Sequence, residues 1–212
     1  MKKQVRNNPA FVLGNGKSRL NVDAKSLLNL GVVYGCNALY RELEPHVLIA
    51  VDVKMMNEII DSGYHRSHQV WTNPNRGLKT KHHINFFSPH KGWSSGPTAL
   101  WHAASQGHQE IYVFGFDYQG EDGKFNNVYA DTFNYKKSTD SATYFGNWLN
   151  QTEKTIKEFS NIKFFRIIEQ NTFIPDKLSG KIPNLTHLSF QEFENKFPGT
   201  SYVDQTIQKT TI

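Results

Sequence analysis

Ala10-Phe11-Val12-Leu13-Gly14-Asn15-Gly16-Lys17-Ser18-Arg19-Leu20 is the stretch that decides the fold. Four apolar residues in a row, without polar alternation, describe a strand buried on both faces. The Gly14-Asn15-Gly16 stop lets the backbone turn tightly at its carboxyl end. Runs of the same kind recur: GVVYGC at 31–36, VLIAV at 47–51, IYVF at 111–114 closed by Gly115, and KFFRII at 163–168. QVWT at 69–72 and INFF at 84–87 are weaker examples. Between them, residues 23–30, 54–61, 97–106 and 141–159 read as helices. In the last of these, Tyr144, Trp148, Thr152, Ile156 and Phe159 recur at helical spacing. Strands alternating with helices predict an α/β fold with a mainly parallel sheet flanked by helices. After residue 170, Pro175, Gly180, Pro183, Pro198 and Gly199 punctuate a polar stretch with one short helix near 190–197. The expected division is therefore a core domain, 1–170, and a C-terminal extension, 171–212. That extension should be peripheral to any chemistry, so that a chain ending near Gln170 would keep its ligand.

The 212 residues fit one domain of ordinary size with a tail. At 38% hydrophobic and 20% charged, the composition supports a packed core and argues against global disorder. No apolar run is long enough to span a membrane, and the basic opening is not followed by a signal-like segment. The single cysteine, Cys36, excludes an internal disulfide framework, so a soluble cytoplasmic protein is expected. The formal charge is +5, and residues 171–212 are neutral, with four Lys against four Asp and Glu. The excess thus lies in 1–170. Between Ser62 and Gln109 there is no Asp or Glu at all, while Arg66, Arg76, Lys79, Lys81 and Lys91 are joined by seven of the nine histidines. Such a segment focuses positive potential and favours an anionic partner: a nucleotide phosphate, an acidic sugar or nucleic acid. A solvated surface without a ligand is the plainer reading. His65-x-x-His68 and His82-His83 lack the Cys or carboxylate that would complete a zinc set.

Open α/β sheets bind ligands at the carboxyl ends of their strands, and the candidate site residues cluster there. Gly14, Asn15, Gly16 and Ser18 follow the first strand, where small residues permit close approach. A helix after them would aim N–H groups at an anion. The loop is neither a Walker A motif nor the full dinucleotide fingerprint, because the later glycines are missing. Asn37 ends the second strand and Asp52 the third. An amide and a carboxylate there can read a base or ribose or hold a divalent ion, or simply cap the next helix. Ser94, Ser95 and Gly96 open the Ala-rich helix as a phosphate or carboxylate cradle. Gly115, Asp117 and Tyr118 follow the strongest strand, and a Gly- and Asn-rich loop leads on to Tyr129-Ala130-Asp131. That loop reads either as a mobile lid bringing tyrosine hydroxyls to phosphate or sugar oxygens, or as an aromatic loop packed on the sheet.

Taken in order, Gly14-Asn15-Gly16-x-Ser18, Cys36-Asn37, Ser95-Gly96, the 110–117 segment EIYVFGFD and Tyr129-Ala130-Asp131 resemble the bacterial lipooligosaccharide sialyltransferases. They are also similar to the Rossmann-like family related to 6-hydroxymethylpterin pyrophosphokinase. The likeness spans residues 10–168 and implies a Rossmann-like fold with a nucleotide-sugar site at the strand ends. It carries nucleotide contacts onto Asn15 and Asn37, the hydroxyl turn onto Ser94, Ser95 and Gly96, and further contacts onto Gly115, Tyr118 and Tyr129. Two departures stand out. The third strand of the sialyltransferases ends on an amide, whereas Asp52 stands here. Their histidine base precedes the last long helix, where this chain reads Tyr135-Lys136-Lys137-Ser138-Thr139-Asp140, with no histidine between His108 and His187. Deprotonating an acceptor hydroxyl requires a base within hydrogen-bond reach, so a carboxylate is expected to serve: Asp131 first, Asp52 second.

Three functions follow from the sequence. The first is a glycosyltransferase using a nucleotide-sugar donor and an acceptor approaching over the basic segment. The second is ATP-dependent pyrophosphoryl or phosphoryl transfer, with Mg²⁺ on Asp52 and Asp117. The third is a non-catalytic protein binding a nucleotide or nucleic acid.

Overall fold

The computed structural model describes residues 6–79, 82–169, 172–180 and 182–200. Eight strands form one sheet: β1 (Ala10–Leu13), β2 (Val32–Cys36), β3 (Val47–Ile49), β4 (Val70–Thr72), β5 (Ile84–Phe86), β6 (Glu110–Phe114), β7 (Lys163–Ile168) and β8 (Leu185–Ser189). Their order is β5-β4-β3-β2-β1-β6-β7-β8, and every pairing is parallel. This is a Rossmann-like α/β architecture. The chain runs outward from β1 to β5, then returns so that β6 lies on the other side of β1. That reversal makes β1/β6 the switch point of the sheet, where a crevice opens at the carboxyl ends.

Each apolar run becomes a strand because both of its faces are covered. Ala10, Phe11, Val12 and Leu13 are all fully buried. On one face lie α2 (Ser95–Ser105) and α3 (Gly146–Glu158), packed through Ala99, Leu100, Ala103 and Ile156. On the other lie α1 (Val53–Asp61) and α4 (Phe190–Lys196), through Met55, Met56, Ile59, Phe190 and Phe193. The helix expected over 23–30 is only a 3-10 turn, Ser26–Asn29. Gly31 follows at once, and its backbone lies against the Pro9 carbonyl, leaving too short a connection for α-helical nucleation.

The region after residue 170 does more than the sequence suggested. Residues 170 and 171 themselves lie outside the described set, as do Thr80, Lys81 and Lys181. Beyond them, β8 pairs with β7 over five residues, and the short helix expected near 190–197 forms as α4. Ser189 caps α4 in a reciprocal box with Glu192. Phe193 is 1% exposed and meets Phe114 edge-on at 5.0 Å and Phe11 at 6.2 Å. A chain ending near Gln170 would therefore lose an edge strand and uncover aromatic core. The sequence understated this because LTHLS alternates and carries only two leucines, as an edge strand does.

One buried polar contact at the amino end of the sheet makes stability depend on pH. His108 is fully buried, with Nδ1 2.9 Å from the Asn8 carbonyl and Nε2 3.0 Å from the Tyr34 hydroxyl. Nδ1 must donate to the carbonyl, so Nε2 accepts from Tyr34 and the ring is held neutral. Burial pulls His108 below its ordinary value, and His187 is lowered for the same reason. The unfolded chain takes up these protons near 6.5 while the native state does not, so stability falls as pH drops through that value. Urea midpoints measured from about pH 7.5 down to about pH 5.5 should decline, and His108→Gln should flatten that decline. An unchanged slope in the variant would contradict this assignment.

Candidate functional site

A cavity of about 320 Å³ opens at the β1/β6 switch point, in the size range of small-ligand sites. It gathers residues that lie far apart in sequence: Gly14, Asn15 and Gly16 from β1, Asn37 from β2, Asp52 from β3, Ser94, Ser95 and Gly96 from α2, and Gly115, Asp117 and Tyr118 from β6. Ser18, Tyr129 and Asp131 are not among its lining residues.

The GNG loop is locked to the loop after β6. Gly14 N–H donates to the Phe114 carbonyl at 2.8 Å and Gly16 N–H to the Gly115 carbonyl at 2.9 Å. Asp117, 8% exposed, accepts from the Ser18 backbone N–H at 3.2 Å, from the Ser18 hydroxyl, and from Asn126 Nδ2 at 3.0 Å. A Cβ on Gly16 would run into the Asp117 carboxylate and lie 2.8 Å from the Gly115 oxygen, so the loop depends on glycine there. Beneath it, buried Arg166 of β7 donates to the Phe116 carbonyl at 2.9 Å and the Asp117 carbonyl at 3.3 Å. Its guanidinium lies 5.2 Å from the centre of the Tyr118 ring.

The two expected anion-binding turns differ in how their N–H groups are used. After Gly16 comes a five-residue 3-10 turn, Lys17–Asn21, whose leading N–H groups already have protein acceptors. Lys17 N–H donates to Asn126 Oδ1 at 2.9 Å and Ser18 N–H to Asp117. The start of α2 is different. Ser95 and Gly96 are its first two residues, whose N–H groups have no partner within the helix. Ser94 sits at the cap position, yet its hydroxyl caps nothing. Ser95 Oγ accepts from Val51 N–H at 3.1 Å, tying α2 to the end of β3 and leaving the hydroxyl proton free to donate. Helix dipole, N–H groups and hydroxyls converge here in an arrangement suited to an anionic group.

Asn37 and Asp52 are polar side chains of the wall without a protein partner among the described residues. Asn37, held at φ 53°, has a buried Oδ1 without a hydrogen bond, an acceptor awaiting a donor. Asp52 is exposed at the start of α1 and does not cap it. Among the described residues it has no side-chain hydrogen bond or ion pair. Other titratable groups of the cavity are committed. Burial pushes the Cys36 thiol up to about 12, and its Sγ donates to the Leu13 carbonyl at 3.3 Å, so it is no nucleophile. The Tyr118 hydroxyl donates to Thr152 Oγ1 at 2.8 Å and, through burial, is held well above the usual phenol range.

The segment expected as a mobile lid is fastened down. Val128 N–H donates to the Asn15 carbonyl at 2.8 Å, and Arg41 donates to Thr132 Oγ1 at 2.8 Å and to the Phe133 carbonyl at 3.0 Å. The Tyr129 hydroxyl, buried, donates to Glu42, which also pairs with Arg19 at 2.7 Å. Tyr129 thus braces the GNG loop from behind rather than reaching into the cavity. Asp131 is exposed at φ 67°, with its carboxylate accepting from Ser138 N–H at 3.0 Å. Hydrogen bonding from Ser138 holds it below the usual carboxylate range. It does not face the cavity, and Asp131→Asn should leave ligand binding and turnover within about twofold of the parent. A large loss in either assay would restore it to the site.

Gln119, Asn126, Asn127, Phe145 and Trp148 also line the cavity and were not anticipated. Trp148 read as part of the helical apolar stripe, and the amides read as loop. Arg166 had a usable signal, a cation inside the buried run KFFRII, where an unpaired charge needs a reason. As for Mg²⁺, Asp52 and Asp117 do share the cavity, but Asp117 already accepts three hydrogen bonds from Ser18 and Asn126. Among the described residues no three His, Cys, Asp or Glu side chains gather. The donor set does not fit a resident metal ion, and no step is derived through one. Among those residues no helix is long and apolar enough to cross a membrane.

This strand order, with a polar crevice at its switch point, is a sialyltransferase-like form of the Rossmann-type α/β fold. The chain is similar to the sialyltransferase CstII from Campylobacter jejuni solved with cytidine-5'-monophosphate: TM-score 0.51, 16% identity, covering 77% of this chain and 81% of that one. A CST-II variant in complex with CMP gives TM-score 0.53 at 15% identity, over 83% and 87% of the two chains. The monofunctional alpha-2,3-sialyltransferase Cst-I from Campylobacter jejuni gives 0.50 at 11%, over 82% and 81%. At these identities the likeness is one of fold. No family model matches the chain, and no curated protein matches it in sequence.

Proposed function

We propose that the chain is a nucleotide-sugar-dependent glycosyltransferase of sialyltransferase-like architecture, with its donor in the β1/β6 cavity. The observation that carries this reading is the pairing, in one cavity, of an unpartnered acceptor, Asn37 Oδ1, with the N–H groups of Ser95 and Gly96 that lack a helical partner and the Ser94 hydroxyl that caps nothing. Asn37 accepts a hydrogen bond from a ribose hydroxyl or base amine, and the turn Ser94-Ser95-Gly96 takes the phosphate. In the transfer step an acceptor oxygen attacks the anomeric carbon, and the carbon–oxygen bond to phosphate breaks. The nucleotide leaves with the electron pair, its growing charge met by preorganised donors at α2. The acceptor's proton goes to Asp52, the carboxylate of the cavity that no protein group already occupies.

The structure favours this over phosphoryl transfer from ATP, for which a polyphosphate would need more cationic help than the cavity offers. Among the described residues, none of the basic side chains of 62–109 lines the cavity; Lys91, for one, pairs with Glu158 at 3.0 Å and lies over Trp93 and Trp101. Their role remains the approach of an anionic acceptor. A thermal-shift panel of CMP, UDP, GDP, ADP and their sugars, with and without Mg²⁺, tests the reading. Stabilisation by a nucleotide and its sugar, independent of Mg²⁺, is expected. No shift with any of them, or a shift with ADP and Mg²⁺ alone, would overturn it.

A further inference from the structure

We infer that the sugar moved by this enzyme carries no carboxylate: the donor is a nucleotide-linked sugar whose hydroxyl or amine donates to Asp52. The inference rests on the nucleotide-sugar reading above and concerns the charge of the transferred group.

Among the described residues, no Lys, Arg or His lines the cavity. Lys54, two residues beyond Asp52 on α1, is exposed and outside the lining, and four other cations around the cavity are engaged. Lys17 pairs with Glu121, Arg19 with Glu42 at 2.7 Å, and Arg41 with Glu58 at 2.7 Å. Arg166 is buried beneath the β6 loop and is consumed by backbone carbonyls. The cavity therefore has one device for holding an anion, the start of α2, and the donor phosphate takes it. Its two carboxylates differ. Asp117 is masked by Ser18 and Asn126, whereas Asp52 projects without a partner.

A cavity of about 320 Å³ keeps every bound group within roughly one Debye length of Asp52. A second anionic group on the sugar would face that carboxylate with no cation among the described lining residues to offset it, while a hydroxyl or amine would supply the donor Asp52 lacks. Selection by like-charge exclusion acts here on the sugar, while the charge of the nucleotide phosphate is offset by the start of α2.

Two matched pairs test this by calorimetry: UDP-glucose against UDP-glucuronate, and CMP-N-acetylneuraminate against its carboxylate methyl ester, with bare UDP and CMP as references. In the parent the carboxylate-bearing member should bind about tenfold or more weakly than its neutral partner, and Asp52→Asn should reduce that ratio to near one. An acidic member that binds as well as its neutral partner in the parent, or a ratio unchanged in Asp52→Asn, would overturn the inference while leaving the nucleotide site standing. Failure of every nucleotide and sugar to bind would instead remove the nucleotide-sugar reading, and this inference with it.

Discussion

Asp52→Asn should lower turnover by about 10²–10⁴-fold while donor binding is retained. The size of the effect follows from the role. The amide keeps the shape and the hydrogen-bonding reach of the carboxylate but cannot take a proton at neutral pH. Nothing in the fold leans on Asp52: its side chain caps no helix and pairs with no cation, so stability should change by no more than about 0.5 kcal/mol. Measuring kcat beside the donor Kd separates the two roles of the residue. A fall in kcat with binding kept marks Asp52 as the base. Turnover equal to the parent would mean that the proton leaves by another route.

The second large effect is expected at Gly16. In Gly16→Val the new side chain meets the Asp117 carboxylate and the Gly115 carbonyl, so the GNG loop must part from the β6 loop that shapes the cavity. Nucleotide binding should weaken by at least about a hundredfold. With ligand at a hundred times the parent Kd, stabilisation of about 2.7 kcal/mol would shrink to about 0.4 kcal/mol. The ligand-free variant should still fold, since overpacking of this kind costs about 1–3 kcal/mol. Thermal melts with and without nucleotide read both quantities. A normal ligand shift in the variant would place the site elsewhere.

The central sheet was legible in the sequence because its strands are buried on both faces and therefore appear as unbroken apolar runs, as in AFVL and IYVF. Where burial is partial the signal fades. LTHLS at the edge gave too little of it, and the short 3-10 turns between β1 and β2 replaced an expected helix because Gly31 closes the connection. The site divides in a similar way. Residues at strand ends, such as Asn37, Asp52 and Gly115, could be found because the ends of parallel strands converge by topology. Side-chain commitments could not be read in this way. Nothing in the sequence reveals that Ser18 is spent on Asp117, that Tyr129 turns inward to Glu42 and Arg19, or that Asp131 turns away to Ser138. The first two depend on loop paths between residues about a hundred positions apart and the third on a local turn seven residues long, and none of them leaves a mark in the sequence pattern.

The most direct measurement is a crystal structure of the protein soaked with the nucleotide that stabilises it best. The account predicts phosphate oxygens at about 3 Å from the N–H groups of Ser95 and Gly96, with a ribose or base donor on Asn37 Oδ1. Phosphate bound instead against Lys17 and Ser18, at Arg66 or at Lys91 would contradict it.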